Sequence, residues 1–251
     1  METTALGLPS QITACLFDLD GVLTETASVH AKAWKQTFDE FLRARAEREG
    51  GEFVPFDAGT DYNEYVDGKP RYDGVRSFLA SREIELPEGD PADPPSAATV
   101  CGVGNRKNEL VLKLLDEDGV EPYPGSVRFV EAARDAGLRR AVVSSSANCQ
   151  AVLEAAGIDH LFEERIDGRV AAAEHLQGKP APDTYLAGAR AVGVAPAQAA
   201  VFEDATAGVA AGRAGGFGAV VGVDRVDHAA ALREHGASVV VADLADLLAG
   251  G

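Results

Sequence analysis

Thr13-Ala-Cys-Leu-Phe is a short apolar run that stops at Asp18, and about a hundred residues of helix-like and loop-like text pass before the next comparable run begins at Arg139. That separation constrains the fold more than any other feature. A strand buried on both faces reads as a near-continuous apolar run, and in a parallel sheet it ends in a loop at its carboxyl end. Thr13 to Asp18 is thus a first strand cut off from its neighbours. Past Tyr123 the text alternates: helix Ser126 to Ala136 closed by Gly137, strand Arg139 to Ser144, helix Asn148 to Ala156 closed by Gly157, and a short segment Glu163 to Ile166. Helix Pro182 to Val192, strand Ala199 to Phe202, helix Thr206 to Ala214, strand Ala219 to Val223, helix Asp227 to His235 and strand Ser238 to Val241 complete the series.

Strands alternating with helices form right-handed βαβ units and a parallel sheet covered on both faces. The intervening segment opens with Ser28 to Glu49, whose Val29, Ala33, Trp34, Phe38, Phe41 and Leu42 recur near helical spacing before Gly50-Gly51 stops them. Further helix-like text lies at Tyr62 to Val66, Tyr72 to Ser81 and Arg106 to Leu115, and the proline-rich stretch from Pro87 to Pro95 reads as a surface loop between helices. The sequence therefore predicts an α/β fold, a doubly wound parallel-sheet (Rossmann-like) core with a helical cap domain inserted after the first strand. Residues 1–26 and 123–251 are expected to form the core and residues 27–122 the cap. No internal repeat is visible.

Composition narrows the function. The chain has 251 residues, 46% of them apolar, with 23 basic and 40 acidic side chains for a net charge of -17. A general binder of nucleic acid or anionic membranes needs the opposite sign. Cys15, Cys101 and Cys149 cannot all pair and show no CxxC spacing, so reduced thiols in a cytoplasmic protein are expected. The amino-terminal METTALGLPSQ lacks a basic region followed by an apolar run, and no stretch approaches membrane-spanning length.

In an open α/β sheet the ligand lies beyond the carboxyl ends of the strands. Asp18-Leu-Asp20, Ser144-Ser-Ser-Ala-Asn148 and Glu203-Asp204 follow three of the strands, and Gly178-Lys-Pro-Ala-Pro-Asp183 precedes a helix of the same series. Asp18, Asp20, Glu203 and Asp204 brought together repel one another unless a cation sits among them. Hard oxygen ligands without a cysteine or histidine cluster favour Mg²⁺. The hydroxyl-rich Ser144 to Asn148 segment opens a helix and suits phosphate, and Lys179 supplies a point charge. Metal, phosphate cradle and carboxylate nucleophile together describe phosphoryl transfer through an aspartyl-phosphate. Taken singly, each piece has an ordinary reading as a turn residue, a helix cap or an exposed lysine; their joint order along the chain is what argues for chemistry. Gly102-Val-Gly104 is no dinucleotide fingerprint, because Lys107 stands at the third glycine position and no strand precedes it.

Phe17-Asp-Leu-Asp-Gly-Val22, Ser144-Ser-Ser, Lys179-Pro-Ala-Pro-Asp183 and Glu203-Asp-Ala-Thr-Ala-Gly208 resemble the four motifs of the haloacid-dehalogenase superfamily, phosphotransferase branch. DGVLTETASVHAKAW, DGKPRYDGV, NRKNE and KPAPDTY are more narrowly similar to its β-phosphoglucomutase-like subfamily. The resemblance implies Asp18 as nucleophile, and Asp20 as general acid/base whose carbonyl ligates Mg²⁺. It implies Asp18, Asp20, Glu203 and Asp204 as the metal set. Ser144 and Lys179 would hold the transferring phosphoryl, Ser145 would donate its N–H, and Ser146 and Asn148 would belong to the same phosphate-binding loop. Thr26 would sit at the hinge, His30 near the reacting sugar, and Arg71 and Lys107 in the cap, with Arg71 gripping the second phosphate. Trp34 is expected to be cap core.

Interconversion of β-glucose 1-phosphate and glucose 6-phosphate through a sugar bisphosphate is the activity so implied. A Mg-dependent sugar-phosphate phosphatase and a non-catalytic phosphosugar-binding protein remain open. Two departures from the subfamily pattern bear on the choice: Ala147 replaces a lysine that helps bind the distal phosphate, and the cap is longer through Gly50 to Gly59 and Pro87 to Gly104. A monomer acting on a small sugar phosphate, without nucleic-acid or membrane partners, is expected.

Overall fold

In the computed structural model, which describes residues 6–248, the first apolar run is strand β1 (Ala14–Phe17), with all four residues buried. Residues 1–5 of the amino-terminal stretch read for a leader lie outside the described part. Helices α1 (Ala27–Glu49), α2 (Arg71–Ser81) and α3 (Val100–Asp118) follow, then α4 (Pro124–Asp135) and β2 (Arg139–Val143). The remainder is α5 (Cys149–Ala155), β3 (Glu164–Ile166), α6 (Gly168–Ala173), α7 (Asp183–Ala191), β4 (Ala199–Glu203), α8 (Thr206–Ala214), β5 (Ala219–Val223), α9 (Ala229–His235) and β6 (Val239–Val241).

The six strands form one parallel sheet in the order β3-β2-β1-β4-β5-β6. The chain winds outward from β1 to β3, then returns across β1 to start β4, so the order reverses between β1 and β4. Phe17 lies in register with Val142 on one side and Phe202 on the other. Asp18, one residue past β1, is therefore beside the end of β4, in the crevice where ligands of such sheets bind.

The chain divides into two compact units, Met1–Glu25 with Val120–Gly251, and Thr26–Gly119. In the first, Ala14, Leu16, Ala141, Val143, Val201 and Tyr185 are part of a core between the sheet and its helices. The second is helical and has its own core, where Trp34 stacks on Phe38 at 5.0 Å and Phe56 and Phe78 close around them. Trp34 is 3% exposed, a core position. The Pro87 to Pro95 stretch is a loop held against α3: the Asn105 amide donates to the carbonyls of Pro91 and Asp93 at 3.1 and 2.8 Å, and Arg106 Nε to that of Pro95 at 2.9 Å.

Beyond shifts of one to three residues at several element ends, two helix starts and one whole helix depart from the sequence reading. Helix α3 starts at Val100, six residues before the expected Arg106, because Thr99 Oγ1 caps the Gly102 N–H at 2.9 Å. Gly102 and Gly104 lower helix propensity there, but they let the helix approach Ala97 and Tyr72 more closely than a Cβ would permit. Helix α6 has no counterpart in the sequence reading; none of its residues is buried, and Asp167 caps it by accepting from the N–H groups of Arg169 and Val170, both at 3.0 Å. Helix α9 begins at Ala229 and not Asp227, since Asp227 has φ +59° and Asp224 accepts from the N–H groups of His228 and Ala229 at 2.9 and 3.1 Å. All three cysteines are buried and free, and among the described residues no helix is long and apolar enough to cross a membrane.

Candidate active site

The end of each central strand delivers one polar group, and Lys179 joins them. Its Nζ donates to Asp18 Oδ1 and Glu203 Oε1, each at 2.5 Å, and to the Val143 carbonyl at 3.1 Å. The three N–H donors of the ammonium thus reach the ends of β1, β4 and β2. Lys179, Asp18 and Glu203 are 2%, 7% and 0% exposed, so these charges interact in a medium far less polarisable than water. Burial alone would lower the Lys179 pKa, but the two carboxylates outweigh it and hold the ammonium above its ordinary value. Burial lifts the Asp18 carboxyl well above the carboxylate range; Lys179 opposes that rise, and Glu203 and Asp20 add to it. With both carboxylates ionised, one shared ammonium would leave a negative charge uncompensated, which is why burial favours a proton on Asp18 when no further cation is present.

Glu203 is fixed on every side. Its Oε1 also accepts from the Tyr185 hydroxyl at 3.0 Å, and its Oε2 from the Ala205 N–H at 3.0 Å. A Cβ at Gly208 would fall 1.6 Å from Oε1, so only glycine on α8 leaves room for this carboxylate. Gly21, at φ +79°, plays the same part for Asp204: a Cβ there would lie 1.7 Å from Oδ2. Carboxylate oxygens of Asp18, Glu203 and Asp204 all lie within 4.8 Å of one another. Three hard oxygen donors with surplus negative charge fit a divalent cation, which relieves their repulsion.

The Ser144 to Asn148 loop begins where β2 ends. The Ser144 N–H donates to the Ile166 carbonyl at 2.9 Å, Ser144 Oγ accepts from the Ser146 N–H and Ser146 Oγ from the Asn148 N–H, both at 3.1 Å. Ser145 and Asn148 are half-buried members of the same turn. Arg169, on the missed helix α6, donates from Nε to the Ala147 carbonyl at 3.0 Å and is exposed.

A family model for haloacid dehalogenase-like hydrolases matches residues 12–216. The chain belongs to the haloacid dehalogenase-like hydrolase family. A protein of Mycobacterium tuberculosis named β-phosphoglucomutase is 58% identical over 99% of this chain and 96% of its own length. The fructose-1-phosphate phosphatase of Escherichia coli is 32% identical over 82% of this chain and 93% of its own. Among solved structures, the β-phosphoglucomutase of Clostridium difficile superposes with a TM-score of 0.72 at 26% identity, covering 94% of this chain and 93% of that one.

In this haloacid dehalogenase-like hydrolase the helical unit carries its own polar group. Lys107, 6% exposed, brings Nζ to 2.9 Å from His30 Nδ1 and to 4.8 Å from the centre of the Trp34 ring. An ammonium only donates, so Nδ1 is the acceptor and the imidazole proton is on Nε2. Arg71, the first residue of α2, lies 4.9 Å over the Tyr72 ring, and Tyr72 Oη donates to Asn105 Oδ1 at 2.9 Å. Thr26, buried, opens the unit, and its carbonyl accepts from the His30 N–H at 3.0 Å.

The core thus brings Asp18, Lys179, Glu203 and Asp204 together, with half-buried Asp20 two residues past the first. His30 and Lys107 meet in the helical unit, and Arg71 opens α2 with its stem against α3, where a Cβ at Gly104 would lie 3.1 Å from Arg71 Cγ. Sequence reasoning gave Tyr185 no role, although it lies six residues past Lys179 within KPAPDTY and holds Glu203.

Proposed function

We propose that the chain is a Mg²⁺-dependent β-phosphoglucomutase, interconverting β-glucose 1-phosphate and glucose 6-phosphate through an aspartyl-phosphate on Asp18 and a sugar bisphosphate. The observation that carries this reading is the buried Asp18–Lys179–Glu203 triad with Asp204 beside it at the sheet's switch point. The 58% identical mycobacterial relative selects the sugar phosphate from the wider family's substrates. Asp18, Glu203, Asp204 and the Asp20 carbonyl would hold Mg²⁺, which when bound neutralises charge on the transferring phosphoryl group.

The protein's own groups do the rest. Asp18 Oδ1 is engaged by Lys179, which leaves Oδ2 to attack phosphorus. Lys179 compensates negative charge on the phosphoryl oxygens, with Ser144 and the Ser145 N–H as further donors. Asp20 gives a proton to the departing sugar oxygen in one half-reaction and takes one from the attacking hydroxyl in the other. His30, its tautomer set by Lys107, presents Nε2–H to a sugar oxygen, and Arg71 offers a two-pronged donor to the non-reacting phosphate. Ala147 lacks the cation that the subfamily pattern has at this position, a departure that favours release of phosphate to water as the second reading. Arg169 answers it, because its guanidinium is tethered to the Ala147 carbonyl and brings a cation to that loop.

The test is to supply β-glucose 1-phosphate, Mg²⁺ and a trace of glucose 1,6-bisphosphate and to measure glucose 6-phosphate and inorganic phosphate in parallel. Glucose 6-phosphate in large excess over phosphate is expected. Phosphate as the main product makes the protein a phosphatase, and no product from either route overturns catalysis on this sugar.

A further inference from the structure

The two acid-bearing loops come from different strands, and one short turn grips both. It follows β5 and runs Asp224-Arg225-Val226-Asp227-His228. Arg225 Nε donates to the Gly21 carbonyl at 3.0 Å, in the loop that carries Asp18 and Asp20. His228 Nε2 lies 2.8 Å from the Asp204 carbonyl, and because a carbonyl only accepts, that nitrogen carries the proton.

The arginine is held firmly enough to act as a brace. Its Nη1 donates to the Ala242 carbonyl at 2.9 Å and to Asp243 Oδ2 at 3.0 Å, and its guanidinium lies 3.7 Å over the Tyr123 ring. Asp243 is in turn fixed by the Ala245 N–H at 2.9 Å. At the other end, Asp224 accepts from the N–H groups of His228 and Ala229, which rigidifies the turn.

What the brace controls is the peptide that follows Asp20. The Gly21 N–H donates to the Thr24 carbonyl at 2.9 Å and the Gly21 carbonyl accepts from Arg225, so both backbone polar groups of this left-handed residue are tied down. The Asp20 carbonyl shares its peptide plane with the Gly21 N–H, and its direction is thereby set. Gly21 also abuts the Asp204 carboxylate. A shift of Gly21 therefore moves the Asp20 carbonyl and releases Asp204 together.

We propose that Arg225, with His228, is a positioning residue for the cation site: the turn after β5 fixes the separation of the Asp18–Asp20 loop from the Glu203–Asp204 loop and so sets metal affinity. The proposal rests on the reading of these carboxylates as a cation site but not on which sugar is transformed. Groups behind metal ligands typically change affinity about 10- to 100-fold when removed.

The test is titration of the metal-free protein with Mn²⁺, followed by the electron paramagnetic resonance signal of free Mn²⁺ and without any substrate. Arg225→Met should raise the Mn²⁺ Kd about 10- to 100-fold. Arg225→Lys, which keeps the charge and stem but cannot span Gly21, Ala242 and Asp243, should raise it at least about threefold, a lower bound set beneath that range because the charge survives. Excess Mg²⁺ should restore turnover in both variants, a rescue that a generally loosened protein would not show. Val226→Ser, on the same turn but 62% exposed, should bind Mn²⁺ as the parent does. Should Arg225→Met not fold, Arg225→Lys decides alone. Parental affinity in the folded arginine variants, or lost turnover that no Mg²⁺ concentration restores, overturns the proposal. Absence of Mn²⁺ binding in the parent protein would instead overturn the cation site itself.

Discussion

Replacing Lys179 by methionine keeps the length of the side chain and removes its charge and all three donors. In chelator, the variant buries the Asp18 and Glu203 carboxylates with no ammonium between them, and the Val143 carbonyl loses its third-strand contact. Removing one partner of a buried ion pair costs about 3 to 5 kcal/mol, since the remaining charge stays desolvated. At roughly 2 to 4 °C per kcal/mol for a protein of this size, Tm should fall by about 6 to 20 °C near pH 7.

The loss depends on pH, and its sign follows from Asp18. Burial already lifts this carboxyl above its unfolded value with Lys179 present, and without Lys179 it rises further. A group whose folded pKa is raised contributes stability that is complete below the unfolded pKa and is lost as pH rises through the folded one. The gap between parent and variant should therefore narrow from about pH 7 towards about pH 4, as Asp18 takes up its proton. Thermal unfolding of both proteins at the two pH values, in chelator, measures it. A Tm difference that is the same at both, or one under about 2 °C near neutrality, would show that Lys179 does not neutralise these carboxylates.

Other variants separate the remaining roles. Asp18→Asn, or chelator added to the parent, should abolish sugar-phosphate turnover in the coupled glucose 6-phosphate assay, because an amide forms no acyl phosphate and the acids need their cation. Asp20→Asn should slow sugar turnover about 10²- to 10⁴-fold while a donor with a good leaving group, such as acetyl phosphate, still labels Asp18; normal turnover would remove Asp20 from proton transfer. Arg71→Ala and Arg169→Ala should each weaken sugar-phosphate binding by about 1.5 to 3 kcal/mol, read as KM, and leave phosphoryl transfer from acetyl phosphate unchanged. Equal losses on both donors would make these arginines structural.

The acids of the site were legible because each follows a strand that advertises itself. Asp18 and Glu203 end apolar runs that are buried on both faces, and no amphipathic period competes with that reading. The start of α3 was hidden by Gly102 and Gly104, which have low helix propensity and serve as contact points. Helix α6 was hidden for the opposite reason: it buries nothing, so it has no apolar stripe to detect. Arg225 and His228 reach backbone carbonyls of Gly21 and Asp204, and a contact to a main-chain atom leaves no complementary residue type in the sequence. Tyr185 looks like one more apolar position of α7 until its hydroxyl is seen to meet Glu203.

On the proposed function, a chain of net charge -17 that is to hold a phosphate ester faces a conflict between its overall field and its ligand, and the site would resolve it by distance. Charges separated by more than about 8 Å through physiological salt are largely screened, so a phosphate in the crevice responds to its immediate neighbours and not to the distant acidic surface. On the proposed reading those neighbours would be Lys179, the N–H groups of the serine loop and a cation held by Asp18, Glu203 and Asp204. The acids must be packed tightly enough for one ion to serve all three. Gly21 and Gly208 make that packing sterically feasible, Lys179 and Tyr185 keep Glu203 turned inward, and the brace from Arg225 and His228 ties the two loops to one turn. Crowding of negative charge, costly by itself, is what would fit the proposed site to a small divalent cation and, through it, to an anionic substrate.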